Sequence, residues 1–225
     1  MAGIMYGIGV GPGDPELMTL KAVKRIRQMN VIAIPHKEKA SCTAYQIAIQ
    51  AVPEIEEKEC LYLHMPMTKD REVLNKSHDE AAKTVMEHLA GGEDVGFLTL
   101  GDVSIYSTFA YLAERVEKEG FETRLESGIP SFCAVAARLN IPLVTGGEEL
   151  HIIPASYQIS DALKLPGVKV LMKAGRQLQS VKEELQTAGL QAVMVENCGM
   201  PDERVYHSFK EIPETAGYYS LLIVR

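Results

Sequence analysis

No apolar run in this 225-residue chain approaches the ~20 residues needed to cross a bilayer, so a membrane-spanning helix is excluded. The opening MAGIMYGIGV has no charged leading region and passes straight into a strand-like pattern, and no signal peptide is expected. Basic excess is also missing. Against 23 Lys and Arg stand 30 Asp and Glu, a net charge of −7. Such a surface has no general attraction for nucleic acid or an anionic membrane, although a local basic pocket remains compatible with it. Cysteine is scarce and scattered: Cys42, Cys60, Cys133 and Cys198 form no C-x-x-C pair. They read as free thiols in a reducing cytoplasm. The six histidines lack H-E-x-x-H spacing, and no metal site is expected. His78 and His88 fall in a charged helical pattern and read as surface residues. There is no Gly-x-Ser-x-Gly elbow and no low-complexity tract.

What is present is ordinary globular composition, with 46% hydrophobic and 24% charged residues, at a length comfortable for two modest domains. Short apolar runs alternate with helical patterns. The strand candidates at 4–10, 31–35, 59–65 and 94–100 alternate with helices at 16–28, 71–90 and 105–119, the first carrying Leu17, Leu20, Val23 and Ile26 at helical spacing. This repetition predicts a parallel sheet with right-handed crossovers and a ligand site at the carboxyl ends of the strands. Beyond Gly120, strands at 122–127, 150–155, 167–174 and 190–197 alternate with helices near 131–139, 157–164 and 176–187. Two further strand candidates, 203–212 and 218–225, have little between them and suggest antiparallel pairing. The expected organisation is a parallel α/β domain over 1–120 and a mixed α+β domain over 121–225.

The stretch GIGVGPGDPELMTLKA, residues 7–22, resembles a phosphate cradle at first sight. Every frame misses the sixth-position glycine of the dinucleotide fingerprint, and no Gly-Lys-Ser/Thr follows. Asp14 and Glu16 would moreover repel a phosphate. What remains is a side-chain-poor corner, Gly11-Pro12-Gly13, before a helix that Asp14 caps and Pro15 begins. Alone, it reads as well as a plain strand-to-helix turn. Two more loops change that reading. FLTLGDVSIYS (97–107) repeats Gly-Asp after a strand, and ESGIPSFCAVAA (126–137) places small residues at a helix start.

Together, GVGPGDPELMTLKA, TLGDVSIYST and SGIPSFCAVAARLNIPL resemble the tetrapyrrole (corrin and porphyrin) methylase family, and within it the branch that methylates C20 of precorrin-2 or cobalt-factor-2. The resemblance implies two α/β domains in a cytoplasmic homodimer that uses S-adenosylmethionine in cobalamin synthesis. It implies cofactor contacts at Gly101, Asp102, Val103, Ile105 and Tyr106, at Ser131 and Phe132, and at Met172 and Asn197. Gly11, Pro12, Gly13 and Asp14 match the family's loop lining the tetrapyrrole trough.

The chemistry asks for little from the protein. A sulfonium methyl is electrophilic and a reduced meso carbon is electron-rich, so the enzyme mainly aligns them and excludes water. A base to take the C20 proton is expected at Asp14, Asp102 or a nearby histidine. Asp102 reads equally as a helix cap. A polycarboxylate substrate needs local cations, and Lys21, His36, Lys37, Lys173 and Arg176 sit near strand ends, with His36 and Lys37 the substrate-binding candidates in the loop after the second strand. Met65 and Met67 read either as ring contacts or as packing. Two alternatives stay open: methylation at another tetrapyrrole position, and a non-catalytic module that only binds S-adenosylmethionine.

Overall fold

The computed structural model describes residues 1–155 and 159–225. They form two compact units, Met1–Pro130 and Ser131–Arg225.

In the first unit β1 (Ile4–Gly9), β2 (Val31–Ile34), β3 (Glu59–Tyr62), β4 (Val95–Thr99) and β5 (Glu122–Glu126) make one sheet, ordered β3-β2-β4-β1-β5 and parallel throughout. Its helices are α1 (Leu20–Gln28), α2 (Thr43–Ala51), α3 (Arg71–Ala90) and α4 (Phe109–Lys118). Successive strand side chains alternate between two cores, as the pleat requires. Tyr6, Ile8, Ile32, Ile34 and Leu98 pack with Ile26, Tyr45 and Ile47 of α1 and α2. Met5, Val31, Ala33, Val95 and Phe97 pack with Val85, Leu89, Leu112 and Val116 of α3 and α4. Fully burying each of these large apolar side chains contributes roughly 1.5–3 kcal/mol. Side by side at the centre, β1 and β4 send their chains to opposite faces, β1 into α1 and β4 into α4. That divergence is where open α/β sheets place ligands.

Several local details depart from the sequence pattern. The expected helix 16–28 is a short 3-10 turn, Pro15–Leu17, followed by α1. Asp14 caps the turn, and Thr19 caps α1 by accepting from Ala22 N at 3.1 Å. Leu20 consequently falls on the exposed side, and Ala22 and Ile26 carry the buried stripe. α2, with no counterpart in the pattern, fills the segment between β2 and β3. The helix expected from 105 begins at Phe109. The strand expected over 122–127 at the head of the second domain forms as β5, Glu122–Glu126, and instead pairs with β1 at the edge of the first sheet, and the first unit runs on to Pro130. Glu126 explains the attachment. Its buried carboxylate meets Lys21 Nζ at 2.6 Å and Arg25 Nη2 at 2.8 Å, tying β5 to α1. His78 is a correction too. It is 7% exposed and stacks on Tyr111, ring centroids 5.1 Å apart, because the buried stripe of α3 (Ser77, His78, Ala81, Ala82, Val85, Leu89) includes it.

The second unit contains α5 (Ser131–Arg138), β6 (Leu150–Pro154), α6 (Ser160–Leu163), β7 (Val168–Met172), α7 (Leu178–Ala188), β8 (Ala192–Glu196), β9 (Arg204–Tyr206) and β10 (Ser220–Val224). Residues 157 and 158 of the predicted helix 157–164 lie outside the described residues. Sheet order is β6-β7-β10-β8-β9, with β6 parallel to β7 and the remaining pairs antiparallel. The last two strands do not pair with each other: both lie antiparallel to β8, one on each side. Leu171, Met194, Leu222 and Val224 pack with Leu163, Leu178, Val181 and Leu185 on one face. α5 packs against β10.

Candidate functional site

The carboxyl ends of β1, β4 and β5 converge through backbone contact. Val10 N donates to Thr99 O at 2.9 Å, Gly11 N to Gly101 O at 3.2 Å, and Gly101 N to Gly11 O at 2.8 Å. The glycine loop and the Gly-Asp loop are therefore clasped as a short antiparallel bridge. The third loop closes against both. A Cβ on Gly128 would stand 2.2 Å from Gly101 O and 2.8 Å from Gly9 C, so the approach tolerates no side chain. Gly101 has φ +73°, a left-handed conformation that glycine adopts without cost, and a Cβ there would meet only Ile129 O, 3.9 Å away, so the backbone is bare on that side.

Asp102 is the tie between these loops. It is 8% exposed. Its Oδ1 accepts from Ser104 N at 2.8 Å and from Ser104 Oγ, and its Oδ2 accepts from Gly128 N at 2.9 Å. It caps the Ser104 turn, not α4, whose first amide, Phe109 N, donates to Ser107 Oγ at 3.0 Å. With both carboxylate oxygens engaged inside the protein, Asp102 is arranged to fix the loop. The Val103 side chain is buried in the core beneath Gly7, so only its backbone faces the loop. Ile105 is partly buried. Tyr106 is half exposed at φ +48°, a conformation unfavourable for an aromatic residue. Strain of this kind gathers where a loop is shaped for a ligand.

Around the clasp, Asp14 Oδ1 accepts from Glu16 N at 2.8 Å, while Oδ2 has no hydrogen-bond partner among the described residues. Pro12 and Gly13 complete the corner and are buried. Thr19 Oγ1 donates to Ser127 O at 3.2 Å, another link between the first and third loops. His36 and Lys37 follow β2, the neighbour of β4, and so lie at the same edge of the sheet. His36 Nδ1 accepts from Glu38 N at 3.4 Å, and Lys37 is exposed. Lys21 is committed elsewhere, to Glu126. Met65 packs against the α3–α4 core, whereas Met67 is exposed.

In the second unit Ser131 and Phe132 open α5, with Phe132 7% exposed. Met172 and Asn197 end or follow the mutually parallel strands β7 and β8, which flank β10. Met172 pairs with Leu221, and Asn197 N extends the β8–β10 ladder by donating to Tyr219 O at 3.1 Å. Both corners are left-handed: Lys173 has φ +60° and Asn197 φ +54°. Of the four non-glycine residues at positive φ among the described residues, three (Tyr106, Lys173, Asn197) therefore sit at or beside expected cofactor positions. Ser104, Gly128 and Asp202 brace these loops without being singled out among the expected site residues. The Asp-x-Ser spacing of an Asx turn signals Ser104. Nothing local signals Asp202, whose side chain reaches Asn197 across a loop. Among the described residues no three His, Cys, Asp or Glu side chains gather as a metal site, and no helix is long and apolar enough to cross a membrane.

A family model described as Tetrapyrrole (Corrin/Porphyrin) Methylases matches residues 5–213. A probable cobalt-precorrin-2 C(20)-methyltransferase of Methanocaldococcus jannaschii is 36% identical over 170 residues, covering 75% of this chain and 71% of that protein. The cobalt-precorrin-2 C(20)-methyltransferase of Salmonella typhimurium is 30% identical over 234 residues, 100% of this chain and 97% of its own length. Among solved structures, uroporphyrin-III C-methyltransferase from Thermus thermophilus, complexed with S-adenosylhomocysteine, superposes with a TM-score of 0.72 at 20% identity, covering 99% of this chain and 97% of that one; the likeness is one of fold.

Proposed function

We propose that this chain, which belongs to the tetrapyrrole (corrin and porphyrin) methylases, methylates C20 of precorrin-2 or cobalt-factor-2 in cobalamin biosynthesis with S-adenosylmethionine as methyl donor. The observation that carries the reading is the convergence of three separate family-like loops on one clasp at the centre of the first sheet. The names of relatives matched over most of the chain support the ring position. The family resemblance carries a cytoplasmic homodimer into the same reading.

The residues present fit the cofactor. Gly101 leaves its loop backbone bare, with open space where a Cβ would stand, and the left-handed corner at Tyr106 follows in the same loop. Gly101, Asp102, Val103, Ile105 and Tyr106 would hold S-adenosylmethionine from the first unit, with Val103 contributing backbone. For the second unit, the family resemblance implies cofactor contacts at Ser131, Phe132, Met172 and Asn197. When bound, it supplies an electrophilic sulfonium methyl. Gly11, Pro12, Gly13 and Asp14 offer the tetrapyrrole a flat backbone wall, with His36 and Lys37 placed for its carboxylates. The wall, being nearly free of side chains, lets a broad ring lie close and displace water, which supports alignment and desolvation. For the C20 proton, Asp14 is the better acceptor of the two aspartates, because its Oδ2 is unengaged whereas both oxygens of Asp102 are occupied.

Purified protein incubated with S-adenosylmethionine and either precorrin-2 or cobalt-factor-2 should yield a product heavier by one methyl, assigned to C20 by NMR. Methylation at another ring carbon would move the chain to a sister activity. Binding of S-adenosylmethionine without turnover on any tetrapyrrole would replace the enzyme by a binding module.

A further inference from the structure

The loop after β8 is braced in a way that decides which atom Asn197 presents. Its backbone is already used: Asn197 N donates to Tyr219 O at 3.1 Å, and Asn197 O accepts from Met200 N at 2.9 Å. Its amide N–H and carbonyl are thus both engaged within the fold, and the side chain is what the corner can extend to a ligand. Nδ2 of that side chain donates to Asp202 Oδ2 at 2.7 Å. A carboxylate accepts and does not donate, so it fixes the amide with nitrogen toward Asp202 and carbonyl oxygen turned away. The next residue anchors the same loop from the other side. Glu203 Oε2 accepts from Gly199 N at 2.8 Å, and Glu203 Oε1 accepts from Arg138 Nε in the last turn of α5. The corner that carries Asn197, at φ +54°, is thus held by two carboxylates in sequence.

We infer that Asp202 is a positioning residue: by taking the amide nitrogen of Asn197 it presents Asn197 Oδ1 as an acceptor for a hydrogen-bond donor, an O–H or N–H group, on the adenosyl ligand. This rests on the reading of Asn197 as a contact for the methyl donor. It also gives the left-handed corner a purpose. Asn is among the few residues with a side chain that adopt this conformation readily, and here it supplies a carbonyl that glycine would lack.

The test is calorimetric titration of S-adenosylhomocysteine into the full-length protein, with the thermal midpoint of each variant recorded in parallel. Asp202→Asn lets position 202 donate, so the Asn197 amide is free to turn over; affinity should fall by about tenfold, the size of one lost oriented hydrogen bond. The swapped pair Asn197→Asp with Asp202→Asn again sets a donor at 202 against a carboxylate at 197, leaving an acceptor facing outward. It should recover to within about threefold of the wild type. A merely structural role for Asp202 would lower the thermal midpoint of Asp202→Asn while leaving affinity unchanged, and that result overturns the inference. Failure of the swapped pair to recover overturns it as well, and this comparison remains decisive if Asp202→Asn alone folds poorly. If the wild type itself does not bind S-adenosylhomocysteine, the functional reading falls and this inference with it; wild-type binding with an indifferent Asp202→Asn removes the inference alone.

Discussion

Asp102 joins two loops of the first unit through one carboxylate. Three donors converge on its carboxylate, two from Ser104 and one from Gly128 N, and the group is almost wholly buried. Asp102→Asn keeps the volume but replaces one accepting oxygen with a donating nitrogen. Either Gly128 N–H or the Ser104 turn then faces a donor, and an unsatisfied buried polar group costs about 1–3 kcal/mol. The expected outcome is a loss of that size in urea unfolding, with weaker S-adenosylhomocysteine binding by calorimetry, since the Gly101 loop loses its tether. Unchanged stability in Asp102→Asn would mean that the carboxylate does not tie the loops. The sequence showed Gly-Asp after a strand and offered capping as its role. It could not show that the captured amide would be Gly128, twenty-six positions away. Contacts of that range depend on which strands become neighbours, and β1 between β4 and β5 is a property of topology, not of local pattern.

At the scale of elements, legibility followed periodicity. The helix that the pattern predicts over 71–90 forms as α3, Arg71–Ala90, because Asp70 caps it and its stripe repeats cleanly. β5 was legible as a strand but not as part of the first sheet: its attachment runs through Glu126, Lys21 and Arg25, a hundred residues apart. α2 was missed because its apolar, alanine-rich segment, TAYQIAIQA, is buried over more than one face and shows little polar contrast. His78 failed for the opposite reason, a charged neighbourhood that concealed a position on the buried stripe. Its placement has a measurable consequence for the α3–α4 pair. Burial first, and then the Arg115 guanidinium, hold the imidazole below its ordinary value of 6.5, with Asp79 partly opposing them. The folded protein therefore favours neutral His78, and as pH falls the unfolded chain takes up its proton first. This contribution to stability is complete above about pH 6.5 and is lost as pH drops through that value toward the lower folded pKa. The thermal midpoint should decline by a few degrees from about pH 8 to about pH 5, and His78→Phe, which keeps a ring on Tyr111, should flatten the part of the decline that His78 contributes. An identical slope in His78→Phe would assign the decline to other groups.

On the scale of the whole molecule, the tension is between a net charge of −7 and a substrate class rich in carboxylates. At long range the protein repels such a ligand; at short range the loop ends can attract it. The two effects are separated by salt, because exposed charges act over a screening distance of about 8–10 Å near physiological ionic strength. Of the cations expected near the site, Lys21 is neutralised by Glu126, and Lys173 lies 5.8 Å from the centre of the Tyr218 ring. Lys37 is exposed in the loop after β2 and makes no ion pair among the described residues, so on the proposed reading it is the candidate of the first unit to receive a substrate carboxylate. If local attraction governs encounter, kcat/KM for the tetrapyrrole falls as ionic strength rises; if the overall charge governs, it climbs. We expect the fall. Lys37→Gln should raise KM for the tetrapyrrole by about three- to tenfold, as for loss of one partly screened charge contact, and should make the salt dependence shallower. Its KM for S-adenosylmethionine should stay as in the wild type, because the methyl donor is assigned to other loops. A kcat/KM that rises with salt would remove the local basic patch from the substrate site. A Lys37→Gln variant impaired equally toward both substrates would remove the division between the clasp loops and the loop after β2.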